Sequence, residues 1–270
     1  MPPAGHSQKS FNFIGVDVEA LTYPEFFNYV DRWIANKNVR SHHIAIINAY
    51  CATEAFRNPI VARIYNQADL IGPDGMPFVY WLRWALKRRC DQFDASTIVL
   101  NLGAKSKEKG YKFYLYGGQP DVVIRMKDKL EELYPHIKIV GYQSPPFRPL
   151  TDEEDRSVCD EINSLKPDII CVGLGTPKQD YWIDDHIHKI KGAVFIPCGA
   201  IFDFFGGRIK KAPAIVSRLG VEWLYRLCSK DIKRLWHRYT VLNCIFLWNF
   251  FLQQAGYRQF DTKRSIRKEI

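Results

Sequence analysis

Short apolar runs alternate with longer stretches in which apolar positions return every three or four residues, and the alternation continues over most of the chain. His43-Ile44-Ala45-Ile46-Ile47 reads as a buried strand ending at Asn48, because a short continuous apolar run suits a strand covered on both faces. Residues 49–67 then read as a helix interrupted around Asn58-Pro59, where proline removes a donor. Lys112 to Tyr116 is a second strand, closed by Gly117-Gly118, and an amphipathic helix follows from Pro120 to Tyr134. The same order recurs twice more. A strand over 137–141 precedes a helix over 152–165, and a strand over 168–173 precedes a helix over 179–190. A further strand covers 193–197. Thr151 with Glu154 three residues on has the spacing of a capping box at the 152–165 helix.

Strand, glycine-rich turn, helix, strand is the grammar of a parallel sheet with crossover helices. The expected fold is therefore an α/β, Rossmann-like parallel-sheet core with crossover helices. Such sheets bind ligands at the carboxyl ends of their strands. That rule directs attention to Asn48 onward, Gly72–Gly75, Gly117–Pro120, Gly173–Gln179 and Gly199–Gly207. After Gly207 the pattern changes to a basic and aromatic one through Arg238, followed by an apolar, aromatic stretch over 240–252. This end reads as one or two amphipathic helices forming an appendage, so the chain divides into a core over 1–207 and an appendage over 208–270.

Charge sharpens that division. The net charge of +9 is concentrated at the end of the chain: residues 204–270 hold 14 Lys/Arg against 4 Asp/Glu, and the preceding 203 hold 24 against 25. A local basic block implies a local anionic partner. Basic and aromatic side chains together favour the bilayer interface. No stretch reaches the roughly 20 apolar residues of a spanning helix, and the first ten residues lack the apolar region of a signal peptide. Seven cysteines, none in a C-x-x-C pair, suggest neither a zinc ribbon nor a disulfide framework. A reduced compartment, the cytosol, is expected.

The candidate chemistry lies in three turns. Gly173-Leu174-Gly175-Thr176-Pro177-Lys178-Gln179 follows a strand and opens a helix, so its backbone can approach an anion. It is not the dinucleotide fingerprint, which counts against an oxidoreductase. Gly72-Pro73-Asp74-Gly75 holds one acid in a rigid turn, suited either to general-base work or to turn chemistry alone. Asp203, among apolar residues after a strand, could bond a ribose hydroxyl, cap a helix, or pair with Arg208 or Lys210. Metal signals are poor. His186 and His188 face different sides of a helix, His42 and His43 alternate faces of a strand, and Asp17-Val18-Glu19 is an isolated acid-x-acid pair.

Taken together these segments resemble the WecG/TagA/CpsF glycosyltransferase family. The resemblance rests on Asn48, Ala68-Asp69-Leu70 with Pro73-Asp74-Gly75, Tyr116-Gly117-Gly118, and Lys166-Pro167-Asp168 leading into Val172 through Gln179. It continues through Phe202-Asp203-Phe204-Phe205-Gly206-Gly207, Lys211-Ala212-Pro213 and Leu219 to Leu227, and covers roughly residues 12–240. It implies inverting transfer of an N-acetylmannosamine-type or related sugar, glucose among them, from a UDP-sugar to an undecaprenyl-diphosphate-linked acceptor, with no metal or other cofactor. It implies Asp74 as the base and Gln179 at the sugar or diphosphate. Asn48, Gly117, Gly118, Gly173, Gly175 and Thr176 would contact substrate, and Asp203 the nucleoside. Arg226, Arg234 and Arg238 would close over the site. The enzyme would sit at the inner face of the cell membrane through its appendage, and the family's tendency to associate implies a homo-oligomer.

Two departures stand out. Ile46 occupies the place of a usual Thr, and Arg88 through Asp94 lacks a customary Gly. The competing classes are a nucleic-acid-binding module using the basic tail and a non-catalytic scaffold of the same fold.

Overall fold

The computed structural model describes residues 9–36, 40–207, 236 and 240–260. By its contacts the chain forms two compact units. One comprises Met1–Phe26, Ile46–Phe93 and Ala212–Ile270, and the other Phe27–Ala45 and Asp94–Lys211. A six-stranded sheet runs in the order β4 (Leu70–Pro73), β3 (His42–Ile47), β8 (Val194–Pro197), β7 (Ile169–Gly173), β5 (Lys112–Gly117), β6 (Lys138–Gln143), the α/β architecture that the alternating pattern predicts.

The second unit carries most of the sheet. Strands β5 (Lys112–Gly117), β6 (Lys138–Gln143), β7 (Ile169–Gly173) and β8 (Val194–Pro197) are joined by parallel pairing, with Phe113 opposite Ile169 and Ile169 opposite Val194. His42 of β3 (His42–Ile47) also pairs with Val194 in parallel. Ile169, Ile170, Cys171 and Val172 are fully buried. Crossover helices cover both faces of such a strand, so it reads as an unbroken apolar run. Helices α6 (Pro120–Leu133) and α7 (Asp152–Leu165) follow β5 and β6. The Thr151–Glu154 capping box at α7 is formed in both directions. Helix α5 (Ala95–Lys109) begins at Asp94, whose carboxylate accepts from the Thr97 N–H.

In the first unit, β1 (Ser10–Phe13) and β2 (Val16–Glu19) form an antiparallel hairpin closed at Ile14-Gly15, both at positive φ. The acid-x-acid pair lies on β2 with structural partners. Asp17 accepts from Asn12, and Glu19 accepts from the Ile71 N–H at the start of β4 (Leu70–Pro73). The interrupted helix resolves into α2 (Ala49–Arg57) and α3 (Pro59–Asn66). Asn58 ends the first, and its side chain accepts from the Ile60 N–H to start the second.

Within the predicted appendage, Val241–Gln254 is helical, here α10. It packs in the first unit: Thr53 of α2 donates to the Leu242 carbonyl, and Gln253 bonds Asn12 and Ile14 of the hairpin. Phe13, Phe78, Phe246 and Phe250 stack in succession there, Phe78 coming from α4 (Met76–Leu86). The basic segment over 208–235 lies outside the described residues, as do Arg226, Arg234 and Arg238.

Candidate active site

The first unit presents Asn48 directly after β3 and Asp74 directly after β4. Asn48 is the N-cap of α2. Its side-chain oxygen accepts from the Cys51 N–H at 3.1 Å, which leaves its amide nitrogen to donate to Asp74 Oδ2 at 3.0 Å. One carboxamide therefore joins the helix start to the acid and orients the carboxylate. The Asp74 N–H donates to the Ile47 carbonyl at 2.9 Å, which ties the turn to the end of β3.

A second clamp comes from 91–93. The Gln92 amide donates to the Asp74 carbonyl, the Phe93 N–H donates to the Pro73 carbonyl at 2.7 Å, and the Phe93 ring lies over Gly72. A Cβ at Gly72 would meet that ring at 2.9 Å, so the Phe93 packing requires glycine there. Arg88 anchors the same segment on the Ala20 carbonyl and on Glu25 of α1 (Tyr23–Ala35). The Glu25 carboxyl is held below its ordinary value against the opposing effect of burial, by hydrogen bonds from Thr22 and the nearby Arg88 charge. Sequence reading marks 88–94 only as a loop that differs from the family. The role of Gln92 as a clamp on the Asp74 turn carries no local signal, because its partner stands 18 positions away.

The second unit presents the glycine turns. Gly117 ends β5 at φ +130° and Gly118 follows at +68°, a backbone that side-chain-bearing residues adopt at a cost. A Cβ at Gly117 would stand 2.5 Å from the Gly173 carbonyl, and the Gly118 N–H donates to that carbonyl at 3.1 Å. A Cβ at Gly173 would meet Phe202 at 2.2 Å. The ends of β5 and β7 therefore meet backbone to backbone, and the Phe202 ring of the helix after β8 packs against Gly173.

Beyond Gly173, the buried Gln179 spends its amide inside its own loop. It accepts from the Gly175 N–H at 3.2 Å and donates to Thr176 Oγ1 at 3.2 Å. Gln179 thus shapes the turn that opens α8 (Lys178–His186). Asp203 falls on α9 (Gly199–Phe205), the short helix after β8, and its side chain lies outside the described residues. Arg125 of α6 holds the end of α9 by donating to the Gly206 carbonyl.

His186 and His188 do not act as a pair. His186 is buried, with Nδ1 2.7 Å from the Trp182 carbonyl and Nε2 2.7 Å from Asp155. Asp155, Cys159 and His186 bring their donor atoms within 4.8 Å of one another. The second oxygen of Asp155 is engaged by Lys189 at 2.7 Å, which makes the group a charge-paired link between α7 and α8. Its assembly from positions 31 residues apart is invisible to spacing rules.

The sequence profile of the glycosyl transferase WecG/TagA/CpsF family matches residues 11–260. Three curated relatives carry the name N-acetylglucosaminyldiphosphoundecaprenol N-acetyl-beta-D-mannosaminyltransferase. The one from Bacillus subtilis strain 168 is 30% identical over 206 residues, 75% of this chain and 77% of its own. The one from Bacillus spizizenii strain W23 is 28% identical over 216 residues, 79% and 80% of the two chains. The one from Staphylococcus aureus strain MW2 is 26% identical over 260 residues, 95% and 94%.

Proposed function

Because this chain belongs to the glycosyl transferase WecG/TagA/CpsF family and is a glycosyltransferase, we propose that it transfers an N-acetylmannosamine-type or related sugar from a UDP-sugar to an undecaprenyl-diphosphate-linked acceptor. The observation that carries the reading is the Asn48–Asp74 hydrogen bond of 3.0 Å, which aims a carboxylate at a strand end. A sugar hydroxyl is a weak nucleophile, and a positioned carboxylate accelerates its attack. The acceptor oxygen forms a bond to the anomeric carbon, its proton passes to Asp74, and the sugar–phosphate bond breaks with its electron pair leaving on UDP. A single displacement inverts the anomeric centre.

The glycine turns at Gly117-Gly118 and Gly173-Leu174-Gly175 supply close backbone approach for the nucleotide diphosphate, with Thr176 and Gln179 setting the turn. Asp203 takes the ribose, and Arg226, Arg234 and Arg238 meet the charge that develops on the leaving diphosphate. The basic block over 204–270 brings the enzyme to the inner face of a membrane, where a lipid-linked acceptor resides. Among the described residues no helix is long and apolar enough to cross a membrane.

Calorimetry with UDP in buffer containing chelator, with NAD and a short RNA as controls, tests the donor. UDP binding alone is the expected result; NAD or RNA binding without UDP would overturn the donor assignment. Asp74→Asn is expected to lower transfer by about 10²- to 10⁴-fold and to leave UDP affinity unchanged. Full transfer by that variant would remove Asp74 as the base.

A further inference from the structure

The proposed acceptor is a lipid, and the first unit has a feature that the basic tail does not account for. Helix α4 turns Pro77, Tyr80 and Trp84 outward at spacings of three and four, so they share one face, and the exposed Lys87 caps its end. Tyr80 is 52% exposed and Trp84 63%. One exposed ring is ordinary, but neighbouring exposed rings on one face form the kind of patch that marks an interaction surface. The helix lacks no partner on its other side, where Phe78, Val79 and Leu82 are buried. Lys87 lies 5.5 Å from the Trp84 ring, and Arg89 stands exposed just beyond. From Gly75 to Cys90 the chain holds four basic residues and no acid.

Helix α10 repeats the pattern beside it. The two helices meet through Phe78 on Phe246 and Trp81 on Phe250, at ring separations of 5.1 and 4.8 Å. Away from that contact α10 exposes Val241, Leu247, Trp248 and Phe251, the last three at 60% or more. No charged residue occurs from Val241 to Gln254.

We propose that the outward faces of α4 and α10 seat the enzyme in the headgroup layer of an anionic bilayer, so that the membrane contact includes the catalytic core as well as the C-terminal segment. Tryptophan and tyrosine rings settle at headgroup depth, their apolar bodies toward the acyl chains and their polar tips in water. Lys87 and Arg89 border the rings, where anionic lipid attracts each cation. Charge complementarity selects this occupant. A second copy docked face to face would set Lys87 and Arg89 against the same cations, and neither exposed helix face carries an acid to answer them.

The inference rests on the lipid-acceptor reading for its purpose but is measured independently of it. Full-length protein is sedimented with vesicles of phosphatidylcholine alone and of phosphatidylcholine with phosphatidylglycerol. The variants are Tyr80→Ser with Trp84→Ser, Trp248→Ser with Phe251→Ser, and Lys87→Gln with Arg89→Gln. All six side chains are exposed, and circular dichroism checks each fold. Wild type should bind the anionic vesicles. Each aromatic pair should weaken binding by about tenfold, and the charge pair should weaken it and flatten its salt dependence. Transfer to a water-soluble, short-chain acceptor should stay at the wild-type rate in all three variants. A wild type that ignores anionic vesicles, or aromatic variants that bind them undiminished, would overturn the proposal. So would a concentration-dependent dimer abolished by the same variants in place of vesicle binding. Loss of transfer with every acceptor, vesicle binding intact, would strike the proposed reaction and leave the membrane face standing.

Discussion

At the scale of single residues, the acid and the glycines are the parts of the site that the sequence makes legible. Asp74 is conspicuous as an acid in a Pro-Asp-Gly turn, and Gly173 as a glycine between a strand and a helix. The sequence is silent on how they are held, because Asn48, Gln92 and Phe202 act across gaps of many positions. The Asn48 contact makes a specific prediction. Asn48→Asp would place a second carboxylate beside Asp74 Oδ2, and like charges at that range raise the pKa of the pair. The acid limb of the kcat profile is expected to move to higher pH, whereas Asn48→Ala should lower kcat without that displacement. A pH–rate profile of the two variants separates orientation from charge, and identical profiles would argue against Asn48 as the group that positions the acid. Gly173→Ala tests the other half. Its new methyl would stand 2.2 Å from the Phe202 ring, and overpacking of that kind costs about 1–3 kcal/mol. Lower UDP affinity by calorimetry, together with a lower melting temperature, is the expected result.

At the scale of elements, periodicity is informative where burial is two-sided. Strands β3, β5, β7 and β8 are legible because crossover helices force them to be apolar throughout. The β1–β2 hairpin is harder to read, since four-residue strands with half-exposed positions resemble loops. Helix α5 escapes the pattern too, because its exposed face carries Lys and Glu and its buried residues include Ser96 and Ser106. What starts it is a cap: Asp94 closes the segment that clamps Asp74 and accepts the Thr97 N–H. Removing such a cap costs about 1 kcal/mol. Asp94→Ala should therefore lower the denaturant midpoint by that equivalent. Circular dichroism during urea unfolding reads it, and an unchanged midpoint would show that α5 is held by packing alone.

For the whole molecule, the alternation of strands and helices made the α/β class legible, but nothing in it shows that each compact unit gathers separate stretches of chain. Within the second unit, Asp155 bridges His186 and Lys189, and α7 is thereby tied to α8. Burial raises the Asp155 carboxyl, and the bonds from Lys189 and His186 outweigh it, holding the group below its ordinary value. A depressed folded value stabilises the protein above the unfolded one, near pH 4, and the gain is lost as pH falls through the folded value. The melting temperature of wild type should thus drop more steeply below about pH 4 than that of Asp155→Asn; parallel curves would remove this link from the acid response. The first unit has a different dependence, on time. Its N-terminal hairpin is completed by Gln253 bonding Asn12 and Ile14 and by Phe250 stacking on Phe13, while Leu242 closes over Thr53. On a ribosome, which delivers the chain from its N-terminus, the residues of the second unit all emerge before α10. The hairpin and α2 must wait with these rings uncovered until Val241–Gln254 has been made, which makes the nascent first unit a natural client for a chaperone that shields aromatic surface.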